Sequence, residues 1–340
     1  MSVGHAKNGV FGDQAPLELI TLSELPGRLQ GSGPRNLKLV SPVSAQVGRG
    51  SVTITNPNVT LDLNGSVLQD FRIHISTSEV KIKNGTMGPD SQSGSVDALT
   101  IGGATMNNIA FENMFLCFAG DECAGINSNR GDISNLTFYK TIFAFSNGSA
   151  GSSNPGGFGI LYDSNGSLNY RGMSLIECVI AHHRERFPSL SSGRMEMIDC
   201  VVYNWKNKCT SVSTNSKANI LGVTYLSGSA LNNSRNLPIM ADGETYASDC
   251  KYNDNPTDVG LLRQGSLSPS IIIDPEVNSG HQSMGRAAAY DELITKGNVG
   301  PLLKNELIHR VLDDVKNGTG SLITSASQVG GFPTEIVTGK

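Results

Sequence analysis

The feature that most constrains this chain is a ladder of similar segments between Asn58 and Tyr225. Each has a corner residue, then two or three apolar residues in strict alternation, and often a second short apolar pair. In register they read Asn58-VTLDLNG, Glu79-VKIKNG, Asn108-IAFENM, Asn135-LTFYKTIF, Gly172-MSLIECVI, Arg194-MEMIDCVVY and Asn219-ILGVTYL. The corners are 21, 29, 27, 37, 22 and 25 residues apart. The shortest intervals fit one three-sided coil of short strands, and the longer ones fit the same coil plus an insertion. Alternation with period two specifies strand rather than helix. One coil cannot bury its apolar face alone, so coils must stack into a solenoid. The prediction is an all-β, right-handed parallel β-helix in which Val59, Leu61, Ile109, Phe111, Met195 and Met197 face inward.

Composition fits such a chain. Charged residues make up only 16% and aromatics 6%, while Gly, Asn and Ser, which satisfy coil corners, are abundant. A net charge of −4 supplies no bulk field for nucleic acid or an acidic membrane. No apolar run is long enough to span a bilayer. The opening MSVGHAKNGVFGDQAPLELI lacks an apolar core of secretory type. It suits either a mature fragment or a protein made in a cytoplasm that leaves by another route.

The six cysteines do not spell a disulfide framework. Cys178 and Cys200 occupy the same rung of consecutive coils, where stacked, reduced thiols act as small apolar groups. Cys117 with Cys123, and Cys209 with Cys250, are the remaining candidate pairs. Few histidines and no CxxC argue against zinc. Eight N-x-S/T sequons occur, but Asn58 and Asn135 among them are coil corners, so turn chemistry accounts for them better than glycosylation.

Along the chain, residues 1–48 read as a lead-in, 49–230 as coils, and 231–340 as a C-terminal coil and tail. Insertions interrupt the ladder at 86–96, 115–123 and 144–157, and in solenoids such insertions gather on the binding face. Leu303, Leu307, Val311 and Val315 recur every four residues between Pro301 and Gly318. That spacing predicts a short helix over about 301–317, packed on the side or end of the solenoid.

A second strand column precedes several corners: Asp97-ALTI, Glu122-CAGI, Gly159-ILYD and Arg186-FPSL. Neighbouring rungs lie about 4.8 Å apart. Asp97 and Glu122, helped by Asp121, are candidates to hold a hard cation such as Ca²⁺, and Arg186 would face whatever that cation binds. The alternative is that these are solvated strand ends, with Asp97 capping a turn and Glu122 in a surface salt bridge to Arg186 or Arg130. His182 and His183 invite a general-base reading. Being adjacent on a strand, one of them must point inward.

The stretch IAHHRERFPSLSSGRMEMIDCVVYNW (180–205) resembles the pectate lyase family. The likeness rests on an arginine, one residue and a proline, followed by a coil ending in a run like NNVIYNW. GPRNLKLV, NPNVTLDLNG and DALTIGGATMNNIAFENM are similar to the family's early coils, GDECAGI to its acidic coil, and DDVKNGTGSLITSASQVGGFP to the tail of a bacterial branch. The resemblance implies Ca²⁺-assisted β-elimination of uronate polymers. Arg186 would then be the base, with Asp97, Asp121 and Glu122 at the metal. The chain departs from the family pattern in three places. Ser95 and Val96 stand where a second carboxylate is usual. The coil GGFGILYD carries no substrate-binding lysine. Ser191 occupies the loop where a second arginine is expected.

Two functions from different classes follow. One is a carbohydrate-binding β-helix that takes a polysaccharide or cell-surface glycan, of the kind found in virion tail spikes and fibres, extracellular or virion-associated and assembled as a homotrimer. The other is a Ca²⁺-dependent polysaccharide lyase. The absent secretory segment and incomplete site favour the first.

Overall fold

In a computed structural model of the protein, the described residues are 3–89, 96–103, 105–128, 131–148, 157–164, 170–231, 237–253 and 261–334. Their strands form a single parallel sheet wound into a right-handed β-helix, each strand pairing with its counterpart one coil later. Three strand columns result. The first carries the alternating ladder. Leu136 pairs with Ile109 before it and Met173 after it, and Met173 with Met195 in turn. The second runs through Ile142–Ala144, Val179–His183 and Val201–Trp205. The third runs through Leu99–Ile101, Glu122–Ser128, Phe158–Ser164, Ser189–Leu190 and Thr210–Val212.

The corners are built as their sequence suggests through Gly172. Asn58, Glu79, Asn108, Asn135 and Gly172 all have left-handed backbone. Asn135 Nδ2 donates to Asn108 Oδ1 at 3.1 Å and Asn108 Nδ2 to Glu79 Oε1 at 2.6 Å, so the side chains form a ladder of their own. Arg194 and Asn219 are not left-handed corners. Asn219 instead exchanges hydrogen bonds with the backbone of Ile272, which crosses outside the coil. The six inward residues named above are all fully buried in one core that runs through the coils. All six cysteines are buried and free, so neither Cys117 with Cys123 nor Cys209 with Cys250 forms a bridge.

The strands extend on both sides of the 49–230 ladder. Leu17–Ile20 and Arg35–Leu39 pair ahead of it, and Ile239–Ser248 and Leu262–Leu267 beyond it. Residues 86–88, 115–117 and 122–123 are strand rather than insertion: Thr86 pairs with Phe115, 115–117 with Ile142–Ala144, and Glu122 opens a strand of the third column. The inserted stretches 90–95 and 149–156 lie outside the described residues. The C-terminal helix spans Glu306–Asn317, with the Asn305 side chain accepting from the Ile308 amide as N-cap and Gly318 left-handed at its end. It therefore starts five residues after Pro301.

The chain's own tails cover two of the three outer faces. The helix lays Leu307, Ile308, Val311 and Val315 against Val67, Phe115, Ile142 and Val179 on the second column. The N-terminal turn His5–Asn8 crosses the first column, with the Ala6 amide donating to Thr137 Oγ1. Residues 272–284 cover the later coils of that column, where the Ser279 amide bonds Glu196 and the Met284 amide bonds Asp199. Among the described residues, no segment covers the third column in this way.

Candidate functional site

The third column carries the candidate site. Pairing of Leu99 with Ala124, Ala124 with Ile160 and Leu161 with Ser189 puts Asp97, Glu122, residue 158 and Arg186 at one level on consecutive rungs. The turns before these strands are tied together by backbone bonds. Gly120 and Asp121 both donate to the Val96 carbonyl, Gly157 donates to Gly120, and Arg184 to Gly157. This stack fixes the approach of each candidate side chain.

Asp97, Asp121 and Glu122 each offer an oxygen within 4.8 Å of the others. Glu122 is buried, and Asp97 and Asp121 are half-buried. The Asp97 carboxylate accepts from the Glu122 amide at 3.1 Å and from the Thr100 hydroxyl at 3.1 Å. It occupies the space over Gly125, where an added Cβ would come within 2.3 Å of Asp97 Oδ2. Arg186, itself in left-handed backbone, reaches back to form an ion pair with Glu122. Only 28% of the Arg186 side chain and 6% of that of Glu122 are exposed, so this is not a surface salt bridge.

Electrostatics follow the burial. Desolvation pushes the Asp97 carboxyl up to about 6, against the Thr100 hydroxyl and the Arg186 charge. Burial and then the neighbouring Asp97 charge push Asp121 up to about 6 as well. Burial lowers the proton affinity of Arg186, while Asp121 and Asp97 oppose that shift. The site thus crowds negative charge it cannot hold comfortably. An all-oxygen donor set of this kind suits a hard cation such as Ca²⁺. Each carboxylate has lone pairs beyond those already accepting hydrogen bonds.

The two histidines are both buried and serve structure. His183 points inward, its ring within 3.1 Å of the Phe143 carbonyl and 2.7 Å of Ser146 Oγ, and burial pulls its pKa down to about 3. His182 points outward, stacks on Phe145 and lies 3.4 Å from Asp314 of the C-terminal helix. Among the described residues, neither ring hydrogen-bonds or ion-pairs with Asp97, Asp121 or Glu122.

Beyond Arg186 the column opens into a groove of about 370 Å³, lined in part by Glu185, Arg186, Ser189, Lys208, Ser211 and Asp242. Ser189 pairs with Ser211, so Lys208 continues the row of Asp97, Glu122 and Arg186 one rung further. The signal was present in the sequence. Lys208-CTSV repeats the rung pattern of Arg186-FPSL at an interval of 22 residues, the same as that separating Cys178 from Cys200.

No family model matches the sequence, and no curated protein matches it. Solved structures do match in shape. A pectate lyase from Bacillus sp. N165 in complex with trigalacturonate superposes with a TM-score of 0.67 at 10% identity, covering 88% of this chain and 98% of that one. Pectate lyase II of Xanthomonas campestris gives 0.62 at 13% identity, over 88% and 97% of the two chains. The major allergen of cedar pollen gives 0.62 at 11% identity, over 88% and 92%. The chain is a parallel β-helix with the pectate lyase fold. At these identities the likeness defines the architecture, and fold alone does not carry an activity.

Proposed function

We propose that this β-helix binds acidic glycan along its third face, with a divalent cation held by Asp97, Asp121 and Glu122. The convergence of three carboxylates on Arg186 at that face carries the reading. With all four groups ionised the cluster bears two negative charges, which one divalent cation offsets. When bound, that cation would anchor a sugar carboxylate and acidify the carbon-bound proton beside it. The residues themselves position the ligand: Thr100 and the Glu122 amide orient Asp97, and Arg186 supplies a guanidinium beside the bound anion.

A second reading, β-elimination of a uronate polymer, has its own support. The family resemblance gives Arg186 the base position, it lies beside the carboxylate cluster, and burial weakens its hold on its proton. The fold is shared with a lyase that binds trigalacturonate. The departures at Val96, Ser191 and the GGFGILYD coil weigh toward binding without brisk turnover.

The test is an ultraviolet assay for unsaturated product on a panel of uronate polymers, with and without Ca²⁺, alongside calorimetric binding. Calcium-dependent binding with slow or no product supports the first reading. Rapid product formation that Arg186→Ala abolishes establishes the second. The narrower form of the proposal, a virion spike or fibre acting outside the cell, calls for side-by-side trimers. A monomer mass by light scattering across a wide concentration range would remove it.

A further inference from the structure

The groove beyond Arg186 differs in charge from the carboxylate cluster. Arg186 is engaged by Glu122. Glu185 accepts from Asn207 Nδ2 at 2.9 Å, and Asp242 from Gln264 Nε2 at 2.9 Å. Lys208 is exposed and makes no ion pair or hydrogen bond among the described residues. Between these charges, Ser189 and Ser211 form a hydroxyl pair 2.9 Å apart, and Ser191 and Ser213, each just past the end of its strand, also line the groove.

Resting on the proposed glycan-binding reading, we infer that Lys208 and its serine neighbours form a second subsite selecting glycans whose acidic sugars are separated by neutral ones. One unengaged cation can take one sugar carboxylate. Four hydroxyls on two adjacent rungs suit the hydroxyls of neutral sugars. Glu185 and Asp242 flank this stretch and repel a polymer charged at every unit. Three rungs separate Lys208 from Glu122, roughly 14 Å at the rung spacing. Two sugars of one chain can therefore be engaged at once, one at each end, with the intervening sugars over the serines. Lys208 acts here as a specificity residue, with no part in bond breaking.

The experiment is calorimetric titration of the full chain with Ca²⁺ present, using three probes. These are polygalacturonate, a polymer alternating galacturonate with rhamnose, and a neutral galactan. The alternating polymer should bind at least tenfold more tightly than polygalacturonate. Lys208→Gln should cost about tenfold on the alternating polymer and leave the galactan signal unchanged. Asp242→Asn should narrow the gap by improving polygalacturonate. Both side chains lie at the surface of the groove, and matching thermal midpoints would show that the variants fold. Tightest binding to polygalacturonate, with Lys208→Gln equally weak on every probe, overturns the subsite while glycan binding stands. Binding to none of the three overturns the subsite and the glycan reading together.

Discussion

The guanidinium of Arg186 reaches back across the rung of Gly159 to the carboxylate of Glu122, 64 positions earlier in the chain. The pair joins two coils on the one face that the described tails leave open. It also sets the state from which any cation must bind, because Glu122 is shared between Arg186 and the cluster.

Removing Arg186 should therefore do more than silence a side chain. Arg186→Ala leaves Glu122 buried without its cation, a loss of about 3–5 kcal/mol. Urea titration should show a lower midpoint with an unchanged slope. Ca²⁺ should recover part of the loss by supplying the missing positive charge. A variant as stable as the parent, and insensitive to Ca²⁺, would falsify the coupling.

Acidity should act on the site in opposite directions with and without metal. Asp97 and Asp121 have folded pKa values raised to about 6, above the usual carboxylate range. The folded state thus binds more protons than the unfolded one between about pH 4 and 6, and without metal stability should rise as pH falls through 6. A bound cation needs both carboxylates ionised, so Ca²⁺ should stabilise strongly at pH 7 and little at pH 5. Thermal midpoints measured from pH 4 to 7, with Ca²⁺ and with chelator, check both slopes. Asp121→Asn should flatten both curves.

Gly125→Ala should damage the site from behind. The added methyl would meet Asp97 Oδ2 at 2.3 Å, so the carboxylate must move. Overpacking of this kind costs about 1–3 kcal/mol. Ca²⁺ affinity should fall with it, read by isothermal titration. Unchanged affinity would show that Asp97 is not a ligand.

The interior makes a simpler prediction. Ile109 is fully buried between Val80 and Leu136 on the neighbouring coils, and Ile109→Ala should cost about 2–5 kcal/mol by chemical denaturation.

Cys178 and Cys200 should stay reduced. The Cys178 amide donates to Cys200 Sγ at 3.4 Å, and burial raises the Cys200 thiol well above its ordinary pKa. Thiol reagents should label neither until the protein unfolds. Mass spectrometry of unreduced protein that finds a 178–200 linkage would refute this.

How much of this was legible in the sequence depends on which physical signal each element carries. Alternation exposes the first column because its outward residues are polar and its inward ones apolar. The second column hides better. Its outer face is buried under the C-terminal helix, so Phe115, Leu116 and Cys117 are all apolar and read as insertion rather than strand. The early strand at Ser44–Ile54 is interrupted by a register shift between Gln46 and Gly50, which breaks the period where it would be sought. Sequence spacing placed Asp97, Glu122 and Arg186 on one column, since a rung is a counting rule. It left the ion pair between Glu122 and Arg186 among several alternatives, because side-chain reach across two coils is not periodic. Lys208 obeys the same counting rule and lies one coil past where the pattern was followed.

The arrangement of the two tails has a consequence for assembly. The N-terminal turn with residues 272–284, and the helix Glu306–Asn317, already occupy two sides of a three-sided rod. Copies packing flank to flank must then either bury those tails against one another or take the side that carries Asp97, Arg186 and Lys208. In the second case, ligand and neighbour become rivals for the same ground, and raising the protein concentration should drive the glycan off.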